Sequence, residues 1–509
     1  MFLLTIIAFA ILFCQAEQPA AWVIVGEEDV AWTLIAVLGQ PMLLALAALW
    51  AAQRARWLLR RSPEDPERVQ FFHHRVSFLL RAATLVGFAA TVFFTNWPTW
   101  FALGRITPAL QIVGDLIVLL PFVVNLLVIW TVAYPAERAL RADPESGEPA
   151  AGSEADGGWR FSAYLDFHLR HYVLVVAAPM LLILFAANLA RGYESALTAW
   201  TGWPWTADTL LAVVAFGVFV TAPLLLCRIW RTESLRPGAL RGRLEATCAR
   251  IGLRFRDILV WRTDGIMINA AAMGLFAPVR YVLLSDALLA SMTPEQIEAV
   301  FGHEAGHIRH RHIQHLLVFA AVGWLLVAAT VELLARLAET NGSLSNLSFT
   351  TIEAVGVVLA AVIWGLGFGW ISRRFEWQAD LFGAQCVTPP AGGCRQPCSV
   401  HPNERHVVEG RGRVCMAGAS IFASALDRVA VLNGIPHEER SWRHSSIANR
   451  IRFLMSLAGD PNRAARFDRT LCRLKIVLAS AAVLGAALAL FYWLYVPEPA
   501  ILRRGLGAA

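Results

Sequence analysis

Residues 301–315 read FGHEAGHIRHRHIQH, and within them His303-Glu304-Ala305-Gly306-His307 is an H-E-x-x-H sequence. On an α-helix, residues four apart stand one turn apart on the same face, so His303 and His307 can each aim a ring nitrogen at a single metal ion. Glu304 stands beside the first of them, where a carboxylate can take the proton of a water held by that metal. Zinc at such a pair acidifies water and polarises a carbonyl oxygen, so the implied chemistry is hydrolysis of a peptide bond. Three protein ligands leave a position for water, whereas four close the site into a structural one. A third histidine ten residues after the first, with a glycine three after the second, would be one source of the missing ligand. Here position 313 is Ile and position 310 is His, so that pattern fails. His310, His312 and His315 read instead as surface groups or as supports for the ligands.

Outward from this stretch, the 509-residue chain is 57% hydrophobic and 16% charged, with a mean hydropathy of +0.52. That is far more apolar than a soluble globular protein. The expected fold is a mostly α, polytopic membrane protein with a cytoplasmic-side zincin-type metalloprotease domain containing a small β-sheet. Stretches long enough to cross about 30 Å of hydrocarbon recur at 31–52, 82–103, 109–133, 172–190, 206–227, 316–336, 352–371 and 475–495. The opening stretch MFLLTIIAFAILFCQA reads as a short extra span rather than a secretory signal, because no positive charge precedes its apolar part.

The net charge of +6 is carried almost wholly by arginine, with Lys475 the single lysine. It does not call for nucleic acid, because the arginines fall where the positive-inside rule puts them. Arg54, Arg56, Arg60, Arg61, Arg68 and Arg75 follow the 31–52 stretch, while the loops at 104–108 and 191–205 carry one arginine each. Residues 53–81, 134–171, 228–315 and 373–474 are therefore expected in the cytoplasm and 338–351 outside. Trp97, Trp100, Trp200, Trp203 and Trp205 in the outer loops read as interfacial anchors. The Arg- and Ala-rich usage is that of a GC-rich bacterial genome, which makes the bacterial cytoplasmic membrane the expected location. Protein or peptide substrate and membrane lipid are the expected partners.

The expected organisation is an N-terminal transmembrane region at 1–230, a first protease segment at 231–315, and a two-span hairpin at 316–372. A second protease segment at 373–472 and a C-terminal span at 473–509 follow. Ala142 to Gly158, ADPESGEPAAGSEADGG, reads as a linker, and Asp115 as either a membrane-depth site or a polar bridge between helices. FRDILVW (255–261) and VRYVLLSD (279–286) have strand composition, with INAAAMGLFAP between them supplying small residues and a turn. Thr293 is a candidate N-cap, with Pro294 at the first helical position and Gln296 three residues after the cap.

The two spans at 316–336 and 352–371 return the chain to the side it left, so Glu376 in SRRFEWQAD (372–380) shares a membrane face with His303. Glu376 can thus be the third ligand. Asp380, one helical turn further, is placed to hydrogen-bond a ligand histidine. An insertion at 386–415 holds Cys386, Cys394, Cys398, Cys415, His401 and His406. Cys394, Cys398, His401 and His406 have the density of a second, structural metal site, although their spacing is not a familiar one and a plain loop is the default. Cys14, Cys227, Cys248 and Cys472 read as small apolar residues.

HEAGH with His312 five residues on, Glu376-Trp377-Gln378-Ala379-Asp380 preceded by Ser372-Arg373, Asn269-Ala270 with Gly274 ahead of Tyr281-Val282-Leu283-Leu284-Ser285-Asp286, and His444 with Arg450 together resemble a known family. It is that of the integral-membrane zinc endopeptidases that include the type 1 CAAX prenyl proteases and the bacterial heat-shock protease HtpX. The resemblance covers about residues 235–455, and five spans before the zinc helix with two after it resemble the CAAX protease arrangement, a ring of helices around a chamber. It implies a gluzincin site in which His303, His307 and Glu376 bind zinc and Glu304 is the catalytic base. It also implies that the strand bearing Asn269 and Ala270 lines the cleft and borders a substrate added as an extra strand, and that His444 and Arg450 donate to the substrate carbonyl or the oxyanion; the plainer readings are a structural surface histidine for His444 and a salt bridge to a carboxylate near the site for Arg450. Ser445 stands where the family's late motif has proline. The expected function is endopeptidase action on membrane-associated or misfolded proteins. The alternatives are a CAAX-type prenyl-protein endopeptidase and a non-catalytic metal-binding scaffold or transporter. Against the last, metal retention needs no glutamate at position 304.

Overall fold

The computed structural model describes residues 2–17, 30–61, 66–140, 160–265, 267–340, 349–387, 414–439, 442–458 and 460–495. Among these, eight helices are long and apolar enough to cross a membrane: Val30–Arg61, Arg68–Phe94, Pro108–Leu140, Phe161–Gly192, Thr206–Ile229, His312–Thr340, Ala354–Cys386 and Asn462–Tyr492. Each of the eight apolar stretches in the sequence falls on one of them. The 82–103 stretch overshoots its helix, which ends at Phe94. Thr95 Oγ1 accepts the Trp97 N–H at 3.2 Å, and Pro98 sits in a separate turn, Trp97–Trp100. Apolar composition continues through that turn, so hydropathy alone does not see the break.

The chain divides into two compact units, Met1–Glu233 with Trp261–Ile266, and Ser234–Val260 with Met267–Ala509. In the first, buried polar side chains bond across helices, as they must where no water is at hand. Gln40 Nε2 donates to the Gly87 carbonyl (3.1 Å) and to Thr91 Oγ1 (2.8 Å), while Gln40 Oε1 accepts from Asn125 (3.1 Å). Asp115 accepts from Gln111 (2.9 Å) and Asn188 (2.7 Å), which makes it a bridge between helices.

The second unit carries the candidate site. Strands β1 (Thr232–Ser234), β2 (Asp257–Trp261), β3 (Ala270–Met273) and β4 (Tyr281–Ser285) form one sheet in the order β1-β2-β4-β3. β4 is buried throughout, and β3 pairs antiparallel with it, Ala270 opposite Leu284 and Met273 opposite Tyr281. The stretch read as small residues and a turn thus contains an edge strand. Alanines carry little intrinsic strand preference, and pairing with the buried Tyr-Val-Leu-Leu-Ser run decides their conformation. β1, three residues long, was also not foreseen.

The β3–β4 turn depends on Gly274, whose φ is +99° and whose added Cβ would lie 2.2 Å from the Val279 carbonyl oxygen. The Arg280 guanidinium closes the turn by donating to the Leu275 carbonyl at 2.6 Å. Gly274→Ala is expected to lower the melting temperature of the purified protein, at a cost of about 1–3 kcal/mol for forcing a methyl into that space. An unchanged melting temperature would contradict this account of the turn.

Helix α1 (Pro294–Arg309) follows β4, then α2 (His312–Thr340). The next membrane-length helix runs from Phe349 through a π-helical segment, Ile363–Phe368, directly into α3 (Gly369–Cys386). α4 (Met416–Leu432), α5 (Ile447–Ala458) and α6 (Pro461–Tyr495) complete the unit. The core joins Ile258, Val282 and Leu284 of the sheet to Phe301 and Ala305 of α1, Leu381 and Ala384 of α3, Phe422 of α4 and Leu454 of α5. α1 and α3 approach closely because Gly383 has no side chain: a Cβ there would lie 2.9 Å from the Ala299 carbonyl and 3.0 Å from the His303 nitrogen.

Candidate metal centre

A capping box fixes the start of α1: Thr293 Oγ1 accepts the Gln296 N–H (3.3 Å) and Gln296 Oε1 accepts the Thr293 N–H (3.1 Å). Two and a half turns later His303 and His307 share the face turned to α3, with His303 buried and His307 half-buried. Glu376 and Asp380, both buried, are on the facing side of α3, the continuation of a membrane helix.

His303 Nε2 and His307 Nε2 are 3.2 Å apart, and the Glu376 carboxylate oxygens lie 3.7 Å from each of these nitrogens. One donor atom from each residue falls within 4.8 Å of the other two. A tetrahedral zinc with ligand bonds near 2.05 Å would separate its ligand atoms by about 3.3 Å. The three side chains therefore fit a metal ion as they stand.

Each of the three has its own support. Asp380 Oδ1 lies 2.9 Å from His303 Nδ1, off the line of an ideal N–H bond, and Asp380 is itself gripped by Arg450, at 2.9 Å to Nε and 2.5 Å to Nη2. His307 Nδ1 meets His312 Nδ1 at 3.0 Å, and His312 Nε2 meets Gln378 Oε1 at 3.0 Å. Glu376 Oε2 accepts from His444 Nδ1 at 3.0 Å and lies 3.9 Å from Arg450 Nη2. Outer partners of this kind hold ligand rings in position and select their tautomers.

The electrostatics differ between the two histidines. Burial depresses His307 to about 4, helped by the neighbouring His303. His303 is buried too, yet the Asp380 and Glu376 carboxylates outweigh burial and raise it above 6.5. Burial raises the Glu304 carboxyl above its ordinary value, and the carboxylates around Arg450 outweigh burial to hold its guanidinium firmly charged.

Glu304 stands clear of the three donor atoms. Its Oε2 accepts the backbone N–H of Ala272 on β3 at 2.8 Å. Asn269 bonds towards β4, its carbonyl accepting from Ser285 N (2.9 Å) and its N–H donating to Ser285 Oγ (3.0 Å), so the next N–H groups on the opposite edge are those of Ala270 and Ala272. The Ala270 N–H rests on Asn269 Oδ1 at 2.9 Å. Where that edge begins, the Asn433 side chain bonds both backbone groups of Ile268, at 3.1 and 2.8 Å.

The structure thus gathers His303, His307, Glu376, Asp380, His444 and Arg450 around one point and brings Glu304 to the edge of the strand that Asn269 and Ala270 begin. Arg450 faces Asp380 with two of its nitrogens. His312 supports His307, while His315 turns to the Arg311 carbonyl (2.7 Å). Cys394, Cys398, His401 and His406 lie outside the described residues. At the flanks of that insertion, Cys386 and Cys415 are buried free thiols, and Cys415 Sγ caps α4 by accepting the Gly418 N–H at 3.3 Å. Sequence reasoning missed Asn433, Gln378 and Lys475. Lys475 gave a faint signal as the single lysine.

A paired His-x-x-x-His helix, a glutamate delivered by the second membrane helix after it and a carboxylate held at the edge of a strand define the protein as an integral, multi-pass membrane metalloprotease. Residues 235–458 match the sequence pattern of peptidase family M48. Among curated relatives, a protease HtpX homolog of Pyrobaculum islandicum is 29% identical over 247 residues, which is 47% of this chain and 67% of that protein. One of Aeropyrum pernix is 24% identical over 291 residues, 52% of this chain and 91% of the relative. The solved structure of S. mikatae Ste24p aligns with a TM-score of 0.47 at 15% identity, covering 84% of this chain and 100% of that one.

Proposed function

We propose that this protein is a zinc-dependent endopeptidase that cleaves membrane-associated or misfolded proteins, a quality-control role, with its catalytic centre towards the cytoplasm of a bacterial inner membrane. The observation that carries the reading is the convergence of His303, His307 and Glu376 within 4.8 Å beside a glutamate bonded to an open strand edge. The relatives' printed name, protease HtpX homolog, supports proteolysis. The arginine-rich loops support the cytoplasmic orientation.

His303, His307 and Glu376 would hold the zinc, which when bound supplies a Lewis acid that polarises a scissile carbonyl and acidifies a water. Glu304 is the general base, taking the water's proton and later giving it to the leaving amine. Substrate lies extended along β3, accepting the Ala270 and Ala272 N–H groups as an added strand would. The Ala272 N–H now resting on Glu304 passes to a substrate carbonyl, which releases the carboxylate for its catalytic work. His444, 45% exposed, donates Nδ1–H to Glu376, which places its ring beside the metal ligands, where it would serve the oxyanion. Arg450 acts through Asp380, keeping His303 in place.

At pH values below the raised His303 value and above the His307 value of about 4, zinc binding is expected to release one proton, because there His303 carries a proton that it must lose to bind, while His307 is already neutral. Below the raised His303 value, affinity should fall about tenfold per pH unit as protons compete for that ring. Chelator competition across this range measures it, and a flat profile would contradict the assignment. The functional reading itself is tested by incubating the purified protein with casein, with and without a chelator. Cleavage that stops on chelation and returns with zinc is expected, and chelator-insensitive cleavage or none at all would refute it.

A further inference from the structure

The unit's last helix, α6, lies outside the family-matched residues 235–458, yet two of its charged side chains reach the support of a metal ligand. Lys475 Nζ is 2.9 Å from Gln378 Oε1 and 3.0 Å from the His310 carbonyl oxygen. Asp468 Oδ1 accepts from Gln378 Nε2 at 3.1 Å. We infer that α6 sets the tautomer of the metal ligand His307, with Lys475 as the positioning residue.

An ammonium group has only donors and a carboxylate only acceptors. The two charges therefore fix the Gln378 amide, its oxygen towards Lys475 and its NH2 towards Asp468. A flipped amide would point N–H groups at the ammonium and oxygen at the carboxylate. With Oε1 held in this way, His312 Nε2, 3.0 Å away, has to carry a hydrogen. In the neutral ring the other nitrogen is then an acceptor. That nitrogen, His312 Nδ1, is 3.0 Å from His307 Nδ1, which supplies the hydrogen. His307 Nε2 is left as a lone pair on the side facing His303 Nε2 and Glu376. Phe375 keeps the relay in register, stacked on His312 with ring centroids 4.4 Å apart and planes 3° from parallel, with Lys475 Nζ 5.2 Å from the same ring. Every link has one donor and one acceptor, and their direction originates in the charge pair on α6.

The inference rests on the reading that His307 is a zinc ligand. The test measures zinc affinity by chelator competition on the full chain in detergent. The variants are Lys475→Met, Lys475→Arg, His312→Phe, the Lys475→Met/His312→Phe double variant, and His303→Ala as reference. Lys475→Met is expected to weaken zinc binding about tenfold, the lower end of what loss of an outer partner costs. Lys475→Arg keeps a donor cation and should recover most of that loss. In the His312→Phe background, Lys475→Met should cost nothing more, because the path from α6 to His307 is already cut. A role confined to packing α6 would give the same loss in both backgrounds, and that additivity overturns the inference, as does unchanged affinity in Lys475→Met. If the wild-type chain binds no zinc and His303→Ala changes nothing, the zinc reading fails along with it. Tight wild-type binding lost in His303→Ala but not in Lys475→Met sinks the α6 inference alone.

Discussion

Glu304→Gln will leave zinc bound and suppress peptide hydrolysis, lowering kcat by about 10²- to 10⁴-fold, or about 3–5 kcal/mol of transition-state stabilisation. The Glu304 carboxylate is no part of the three-donor cluster, so exchanging it for an amide removes no ligand. Glutamine keeps an oxygen that can accept the Ala272 N–H, so the local fold has no reason to change. What it loses is basicity. Burial raises the glutamate's proton affinity above the ordinary carboxylate range, a shift in the direction that makes a better base. Zinc content and casein cleavage measured on the same preparation separate the two effects. Cleavage at the wild-type rate with zinc bound would remove Glu304 from the mechanism.

The second large effect belongs to Arg450. Its guanidinium is buried, as is Asp380, and the pair is bidentate. Arg450→Met leaves a carboxylate at 1% exposure whose remaining ion-pair partner among the described residues is His303 Nδ1. Breaking a buried ion pair from one side costs about 3–5 kcal/mol, because the remaining charge is uncompensated. A large drop in melting temperature and weaker zinc binding should therefore accompany any loss of activity. Arg450→Lys will not rescue fully, since one ammonium cannot reproduce a planar two-pronged contact. If Arg450 served only the oxyanion, Arg450→Met would keep its melting temperature and its zinc and lose kcat alone, which would contradict the role given to it here.

The readable part of this protein lay in patterns short enough for local chemistry to dictate. Ser-Met-Thr-Pro-Glu-Gln specified the helix start, the four-residue spacing of His303 and His307 specified one face, and long apolar runs specified membrane-length helices. Parity of crossings then brought Glu376 to the histidines without any knowledge of packing. Composition hid β3, because three alanines have no strand signal of their own and borrow their conformation from β4; only the resemblance implied a strand at Asn269 and Ala270. The support network was hidden for a different reason. Gln378 and Lys475 are 97 positions apart and Ile268 and Asn433 are 165 apart, so only the packed fold shows that they meet. The resemblance placed Arg450 near the substrate carbonyl, but which group its guanidinium would face depended on how α5 docks against α3.

The most direct measurement is the zinc content of the purified wild-type chain, His303→Ala and Glu376→Ala by elemental analysis. One zinc per wild-type chain and almost none in either variant is the predicted result. A Glu376→Ala protein that stays folded and still holds one zinc per chain would contradict the claim that two imidazoles of α1 and a carboxylate of α3 share a single metal ion.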